Sequence, residues 1–401
     1  MPAAAAESGV DTSFGEDGVV HLEPLLSPQY VAVFIRAMAA APDGESYLLE
    51  AGANEVGGNI FLVRYRADGS LDSAFNGPSG ALVAENAGRY PAEVAVDGEG
   101  RPVVAIAGES GYRIVRLDLT GNPDPSFGKD GSVWIRCRCA VERPGLVLDA
   151  RGRILVESVA HSFIGRRSTF LARLKSDGAV DRSFGRNGRA YVHISSRAMP
   201  ALASRANGGI YLSGRGCCGK PKASFLVRVS RRGKLDTRFN ARARRSLKSL
   251  ERLAQRIPFS SQTLVLRPRG RIDLFASSSG DGGLVLRMLP SGKVDRGFAG
   301  NGVRTLSMAV TSAALDDGGG TFVVGRESGW AGISHLLPNN LPDPAFGGGR
   351  ALPLPAPGVD GDLVATQRGG RAMVFDLGFH VCRQSCPATP ALFRFVASPA
   401  R

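Results

Sequence analysis

The 401-residue chain predicts an all-β, closed seven-bladed propeller built of four-stranded antiparallel blades. Three observations carry that expectation. One short phrase occurs seven times, as VDTSFG, LDSAFN, PDPSFG, VDRSFG, LDTRFN, VDRGFA and PDPAFG. Between phrases lie strand-length runs of Val, Ile and Leu bounded by Gly, Asp and Asn. The chain also begins with a lone strand and ends where another phrase would follow.

The phrase Asp falls at Asp11, Asp72, Asp124, Asp181, Asp236, Asp295 and Asp343, in steps of 61, 52, 57, 55, 59 and 48 residues. Such a period means that each unit buries its apolar face only against its neighbours. The phrase-to-phrase units run 9–69, 70–121, 122–178, 179–233, 234–292, 293–340 and 341–401, and together make one domain. Unit 2 shows the plan: Gly80 to Ala84, then AEVAV (92–96), an Asp97-Gly98 turn, PVVAIAG (102–108) and YRIVRLD (112–118). An Asp-Gly turn between apolar runs is a strong hairpin signal. The same middle turn returns at Asp43-Gly44, Asn207-Gly208, Asp317-Gly318 and Gly369-Gly370.

An open solenoid is the competing architecture, but it would need polar caps at both ends, and the sequence has none. Ring closure fits better. The opening strand GVVHL (18–22) can complete the blade of the closing strand ALFRFVA (391–397), which removes the open edges.

A basic residue stands eight positions before the phrase Asp. The pairs are Arg64 with Asp72, Arg116 with Asp124, Arg173 with Asp181, Arg228 with Asp236 and Arg287 with Asp295. His335 precedes Asp343 by the same eight, and ring closure would give Arg394 the partner Asp11. Across a hairpin these side chains lie opposite each other, so a recurring structural ion pair is expected rather than seven anion sites. The phrase aromatics Phe14, Phe75, Phe127, Phe184, Phe239, Phe298 and Phe346 are expected to plug the gaps between blades. Gly15, Gly128, Gly185 and Gly347 follow four of them and supply a backbone angle other residues avoid.

Net charge is +14, carried by 43 Arg against 7 Lys. Charge of this kind informs on solubility and encounter more than on fold, and a high-GC codon usage that favours Arg is the preferred account of it. No apolar run reaches the length of a membrane helix, and MPAAAAESG lacks the charged and apolar regions of an export signal. Six Cys fall in three close pairs: Cys137 and Cys139, Cys217 and Cys218, Cys382 and Cys386. The first and third pairs suit local disulfides of an exported protein; the vicinal pair could close only a strained ring. Zinc is the competing reading for Cys382 and Cys386, but no His stands beside any pair.

The phrase and its flanks, best seen in DGAVDRSFGRNG (177–188), TGNPDPSFGKDG (120–131) and SGKVDRGFAGNG (291–302), resemble the delta-60 repeat family of tandem bacterial repeats. The resemblance spans all seven units. Unit 5 departs most, with Asn240 in place of Gly and ARARRSLK in place of a Gly-led strand. What the resemblance implies is a propeller-like fold and a secreted or cell-envelope location, with no shared catalytic residues.

Catalytic signatures are missing: there is no G-x-S-x-G elbow, zinc-protease helix, P-loop or calcium loop, and His21, His161, His193, His335 and His380 lack ligand spacing. No cofactor or metal is expected. Non-repeating segments are the better place for function. They are GCCGKPK (216–222), HVCRQSCPATP (380–390) and the stretch 228–256, which holds eleven basic residues against Asp236 and Glu251. Arg231, Arg232, Arg242, Arg244 and Arg245 there are candidate binding residues for an acidic polymer, with 246–256 as a helical excursion. A monomeric binding scaffold for a protein or acidic glycan is the leading expectation. Nucleic acid is disfavoured because the stretch lacks interleaved aromatics. The alternative is a propeller enzyme of lyase, lactonase or glycosidase type with its site in the central channel. Glu93, Asp149, Asp316 and Asp362 are the carboxylates placed to serve it.

Overall fold

The computed structural model describes residues 9–22, 32–41, 43–53, 58–137, 142–161, 167–193, 201–215, 224–253, 262–277, 282–354, 361–376 and 391–397. The architecture is a seven-bladed antiparallel β-propeller, mostly four-stranded, with the N-terminal strand in the closing sheet. After β1 (Val19–His21), blade 1 comprises β2 (Ala32–Ala40), β3 (Ser46–Ala53), β4 (Asn59–Tyr65) and β5 (Ala81–Ala84). Blade 2 comprises β6 (Ala92–Val96), β7 (Pro102–Gly108), β8 (Gly111–Arg116) and β9 (Ser132–Arg136). Blade 3 follows with β10 (Gly145–Leu148), β11 (Ile154–His161), β12 (Arg167–Leu174) and β13 (Arg189–Val192). Blade 4 holds β14 (Ala201–Ser204), β15 (Ile210–Arg215), β16 (Ser224–Val229) and helix α1 (Thr237–Leu253).

Blade 5 comprises β17 (Gln262–Leu266), β18 (Ile272–Ser277), β19 (Gly283–Met288) and β20 (Val303–Leu306). Blade 6 comprises β21 (Ala309–Leu315), β22 (Thr321–Glu327), β23 (Trp330–Leu336) and β24 (Leu352–Pro353). Blade 7 joins β25 (Gly361–Gln367), β26 (Arg371–Asp376) and β27 (Ala391–Val396) to β1, in the register Val19 with Phe393 and His21 with Ala391. This pairing joins chain start to chain end and makes β1 the outer strand of the closing blade.

Each phrase lies between the third and fourth strand of a blade, and the middle turns join first to second strand. Both therefore emerge on one side of the ring. Connections from second to third strand, and from one blade to the next, emerge on the other, the loop side.

Four strands in every blade is an expectation the structure corrects. In blade 4 the fourth position belongs to α1, which starts at Thr237 rather than near residue 246. The cause is local. Asp236 uses Oδ1 to cap the Phe239 amide at 2.9 Å, turning the phrase into a helix start. Residues 241–248 contain good helix formers and no β-branched residue, while Phe239, Ala243 and Leu247 repeat at helical spacing and are buried against blade 5.

The core is not central. It consists of seven apolar clusters, one in each gap between neighbouring blades; one joins Leu49, Ala51 and Phe75 of blade 1 to Val94, Val104 and Val115 of blade 2. All seven phrase Phe side chains are buried in these gaps. Gly185 shows why glycine follows Phe: its φ is +56°, and a Cβ would stand 1.9 Å from the Arg189 carbonyl oxygen.

Candidate functional site

The charged repeat positions are bound into the scaffold. The guanidinium Nε donates to the phrase carboxylate in Arg64–Asp72 (2.7 Å), Arg116–Asp124 (2.8 Å), Arg173–Asp181 (2.8 Å), Arg228–Asp236 (3.0 Å) and Arg394–Asp11 (2.8 Å). The same guanidinium reaches across the gap to a turn carbonyl of the next blade, as in Arg64 to Leu119 (2.9 Å) and Arg173 to Arg231 (2.7 Å). It also lies over the phrase Phe ring of its own blade, 4.5 Å from the centroid for Arg173 over Phe184 and 4.7 Å for Arg394 over Phe14. One side chain therefore ties turn, ring and neighbour together.

Blade 5 departs from the pairing expected for Arg287 and Asp295. Arg287 instead donates Nε to Asp273 Oδ1 and a terminal nitrogen to Oδ2, both at 2.8 Å, while Asp295 accepts from Arg271 at 3.0 Å. The reason is position: Asp273 stands directly opposite Arg287 in register, where other blades carry Tyr, Val, Leu, Phe or Met. Arg267 and Asn340 also donate to Asp273, which makes a buried network. In blade 6, His335 takes the Arg position and places Nδ1 2.7 Å from Asp343 Oδ2 and Nε2 2.7 Å from Asp316 Oδ2.

The candidate binding residues fall in two places. Arg231 and Arg232 occupy the exposed turn between β16 and α1; Arg242, Arg244 and Arg245 stand on the exposed face of α1. Cys137 is disulfide-bonded. Cys139, Cys217, Cys218, Cys382 and Cys386, and the segments 216–222 and 380–390, lie outside the described residues. Those two segments join the second strand to the third in blades 4 and 7.

Of the channel carboxylates, Asp149 and Asp316 are spent on middle turns. Asp149 accepts from Arg153 Nε at 2.7 Å and Asp316 binds His335, so neither faces a substrate. Asp362 belongs to β25, with nothing to be said of its side chain. Glu93 differs. It stands on the first strand of blade 2, on the side facing blade 3, and accepts from Arg143 Nε at 2.8 Å. A fifth of its side chain stays exposed (20%), and burial raises its carboxyl above the ordinary range despite the Arg143 charge.

Arg143 lies two residues before Gly145, the first residue of β10, and Gly145 pairs with Glu157. The Glu157 side chain fills the space a side chain at Gly145 would take, since a Cβ there would stand 2.9 Å from Oε2. Glu157 is wholly buried, neither oxygen has a hydrogen-bond partner among the described residues, and burial pushes its carboxyl well above the ordinary range. Nearby, Tyr112 Oη lies 2.5 Å from Ser158 Oγ and donates to the Glu142 carbonyl at 3.4 Å. The start of β10 thus sets Arg143 against Glu93 on the loop side of the gap between blades 2 and 3, while Glu157 faces the other way, toward Leu202 of blade 4. Glu50 of β3 is a further buried carboxyl, raised to about 7 by burial, in the gap between blades 7 and 1.

Glu157 and Glu50 had a sequence signal that repeat reasoning passes over. Each interrupts an otherwise apolar second strand, as ILVESVAH and SYLLEAGA. Arg143 had none, since it lies in a connection between blades.

Among known proteins, the chain matches a family described as a domain of unknown function (DUF5122) beta-propeller over residues 54–75, 96–127 and 152–184. Each segment ends on or just after a phrase Phe. No curated protein matches. Similar solved structures include a Mycobacterium tuberculosis puromycin-hydrolyzing peptidase, at 12% identity and TM-score 0.52 over 93% of this chain and 53% of that one. A puromycin hydrolase follows at 18% identity and TM-score 0.48, over 88% and 52%. A PL25 ulvan lyase gives 9% identity and TM-score 0.49, over 98% and 94%. The chain spans about half the length of the two hydrolases. At these identities the likeness concerns fold alone. The chain is a seven-bladed β-propeller whose repeats match the DUF5122 beta-propeller description in three segments and whose fold is similar to that of the puromycin-hydrolyzing peptidase.

Proposed function

We propose that the chain is a propeller enzyme performing acid–base hydrolysis or elimination on a polar substrate, at the loop-side mouth where β10 begins. The observation that carries the reading is the Glu93–Arg143 pair, a part-exposed carboxylate and guanidinium 2.8 Å apart where β10 begins. Buried carboxyls kept neutral by desolvation are how enzymes hold a proton at neutral pH. Glu93 is the group that can reach substrate and exchange a proton with it. Arg143, exposed on 44% of its side chain, can hold a carboxylate or developing oxyanion.

The test is turnover by the purified chain across aryl glycosides, lactones and uronate oligosaccharides. Glu93→Gln should lower kcat by about 100-fold, within the usual range for losing an acid–base group. Glu157→Gln, on the opposite face of blade 3, should leave kcat far less affected. An absence of turnover across the panel, or turnover indifferent to Glu93→Gln, would overturn the reading.

The second reading is a non-catalytic propeller of the delta-60 type, exported to the envelope and binding a protein or glycan through its loop side. It is favoured by 216–222 and 380–390, which fall in the two longest of the connections between second and third strands.

A further inference from the structure

The outer strands of blades 2 and 3 expose the same pair of side-chain types. In β9, Trp134 and Arg136 alternate outward while Ile135 is buried; in β13, Arg189 and Tyr191 alternate outward while Ala190 and Val192 are buried. Trp134 and Tyr191 occupy one repeat position, three residues after Gly131 and Gly188. Each is 53% exposed. Both rings are held in place: Trp134 lies over Gly108, where a Cβ would stand 3.2 Å from its ring, and Tyr191 stacks at a tilt on Phe170, 5.4 Å between centroids. Blade 4 then replaces its outer strand with α1, whose apolar face is buried and whose outward face carries Arg242 and Arg245.

Packing holds one side of each ring and leaves about half of it open, and a half-exposed Trp and Tyr beside guanidinium groups make a specific chemistry. The ring face takes the apolar face of a pyranose, and the guanidinium pairs bidentately with a carboxylate. We propose that the outer wall of blades 2 to 4 binds an acidic, uronate-bearing polysaccharide, laid across the blades with Trp134 and Tyr191 as platforms and α1 as the anionic anchor. The surface is separate from the mouth at β10 and does not depend on the catalytic reading. Facing sheets pack about 10 Å apart, so rings on successive blades stand farther apart than neighbouring stacked bases. That spacing favours a sugar chain over single-stranded nucleic acid.

The experiment uses the full chain with polygalacturonate as probe, and dextran, polyphosphate and oligo-dT as comparisons, each titrated at low and high salt. The expected result is binding to polygalacturonate that weakens with salt, and no binding to dextran. The Trp134→Ala/Tyr191→Ala variant should weaken polygalacturonate binding at least 10-fold with the salt dependence kept. Arg242→Ser/Arg245→Ser should flatten the salt dependence. All four positions are exposed, and an unchanged far-UV spectrum with unchanged urea midpoint verifies folding. Polyphosphate or oligo-dT binding as tightly as polygalacturonate, indifference to the aromatic double variant, or no binding to polygalacturonate would each overturn the proposal.

Discussion

Arg394 and Asp11, 383 residues apart in sequence, meet at 2.8 Å and close the ring. Arg394 also donates to Ser13 Oγ at 3.1 Å and to the Ala67 carbonyl of blade 1, so one guanidinium joins chain end, chain start and the next blade. It is 3% exposed, and without it Asp11 keeps only Ser13 and the half-exposed Arg371, 3.2 Å away. Arg394→Ala is therefore expected to cost about 1.5–3 kcal/mol, the range for a hydrogen bond to a charged group, read as a lowered urea midpoint. Burial opposes ionisation of Asp11, but Ser13 and Arg394 hold its carboxyl below the ordinary range. Its contribution is thus present above the unfolded pKa of 3.8 and lost as pH falls through the folded value. An unchanged midpoint in Arg394→Ala would show that the ring closes through the β1–β27 backbone pairing alone.

His335 gives the opposite pH sign. Both ring nitrogens face carboxylates at 2.7 Å, an arrangement only imidazolium satisfies fully. Burial lowers its pKa, but the bonds to Asp316 and Asp343 outweigh burial and raise it above 6.5. The stabilisation is complete below the unfolded pKa of 6.5 and is lost as pH rises through the higher folded value. Unfolding midpoints compared at pH 6 and pH 9 should fall for the parent chain. The fall should be smaller in His335→Arg, which restores the residue of the other blades and cannot lose its proton. Equal falls in both would remove His335 as the cause.

Asp273 is the hub of blade 5, wholly buried between Arg267 and Arg287. Asp273→Ala leaves two buried guanidinium groups without their shared anion and should cost about 3–5 kcal/mol. Removing Arg267 as well, in Asp273→Leu/Arg267→Leu, leaves Arg287 free to take the phrase partner Asp295, as in the other blades. The double variant is expected to be more stable than Asp273→Ala. Thermal unfolding of the two decides it, and a double variant as unstable as the single would show that the network is not the source of the cost.

The ring was legible because propeller packing is repetitive. A Phe every fifty to sixty residues, with an Asp three before it and in four of seven units a Gly after it, states the gap-filling ring, the turn and the backbone angle at once. The chain ends were legible for the same reason, since a lone strand at the start has a vacancy at the end. Single-copy substitutions were not legible from repetition. Asp273 looks like an acid lost in an apolar strand until the register sets it against Arg287, and α1 announces itself only through the helical spacing of Phe239, Ala243 and Leu247. The candidate site was half legible: Glu93 stood out on a first strand, whereas its partner Arg143 lies in a connection between blades that no repeat announces.

Phe127 tests whether the ring unfolds as one body. It is wholly buried in the gap between blades 2 and 3, with Arg116 4.8 Å above its ring. Phe127→Ala loses the transfer free energy of the ring and leaves a cavity that strands on both sides hold open, so about 3–5 kcal/mol of stability should go. Phe346→Ala does the same in the gap between blades 6 and 7. The two sites share no contact cluster, so their costs should add in a ring that opens all at once. In that case urea unfolding keeps its slope in each single variant and in the double, with the midpoint alone moving. A ring that breaks first at the weakened gap would instead show a shallower slope or two transitions in Phe127→Ala. The circular closure through Asp11 and Arg394 would then be a local clasp rather than the device that makes seven blades one cooperative unit.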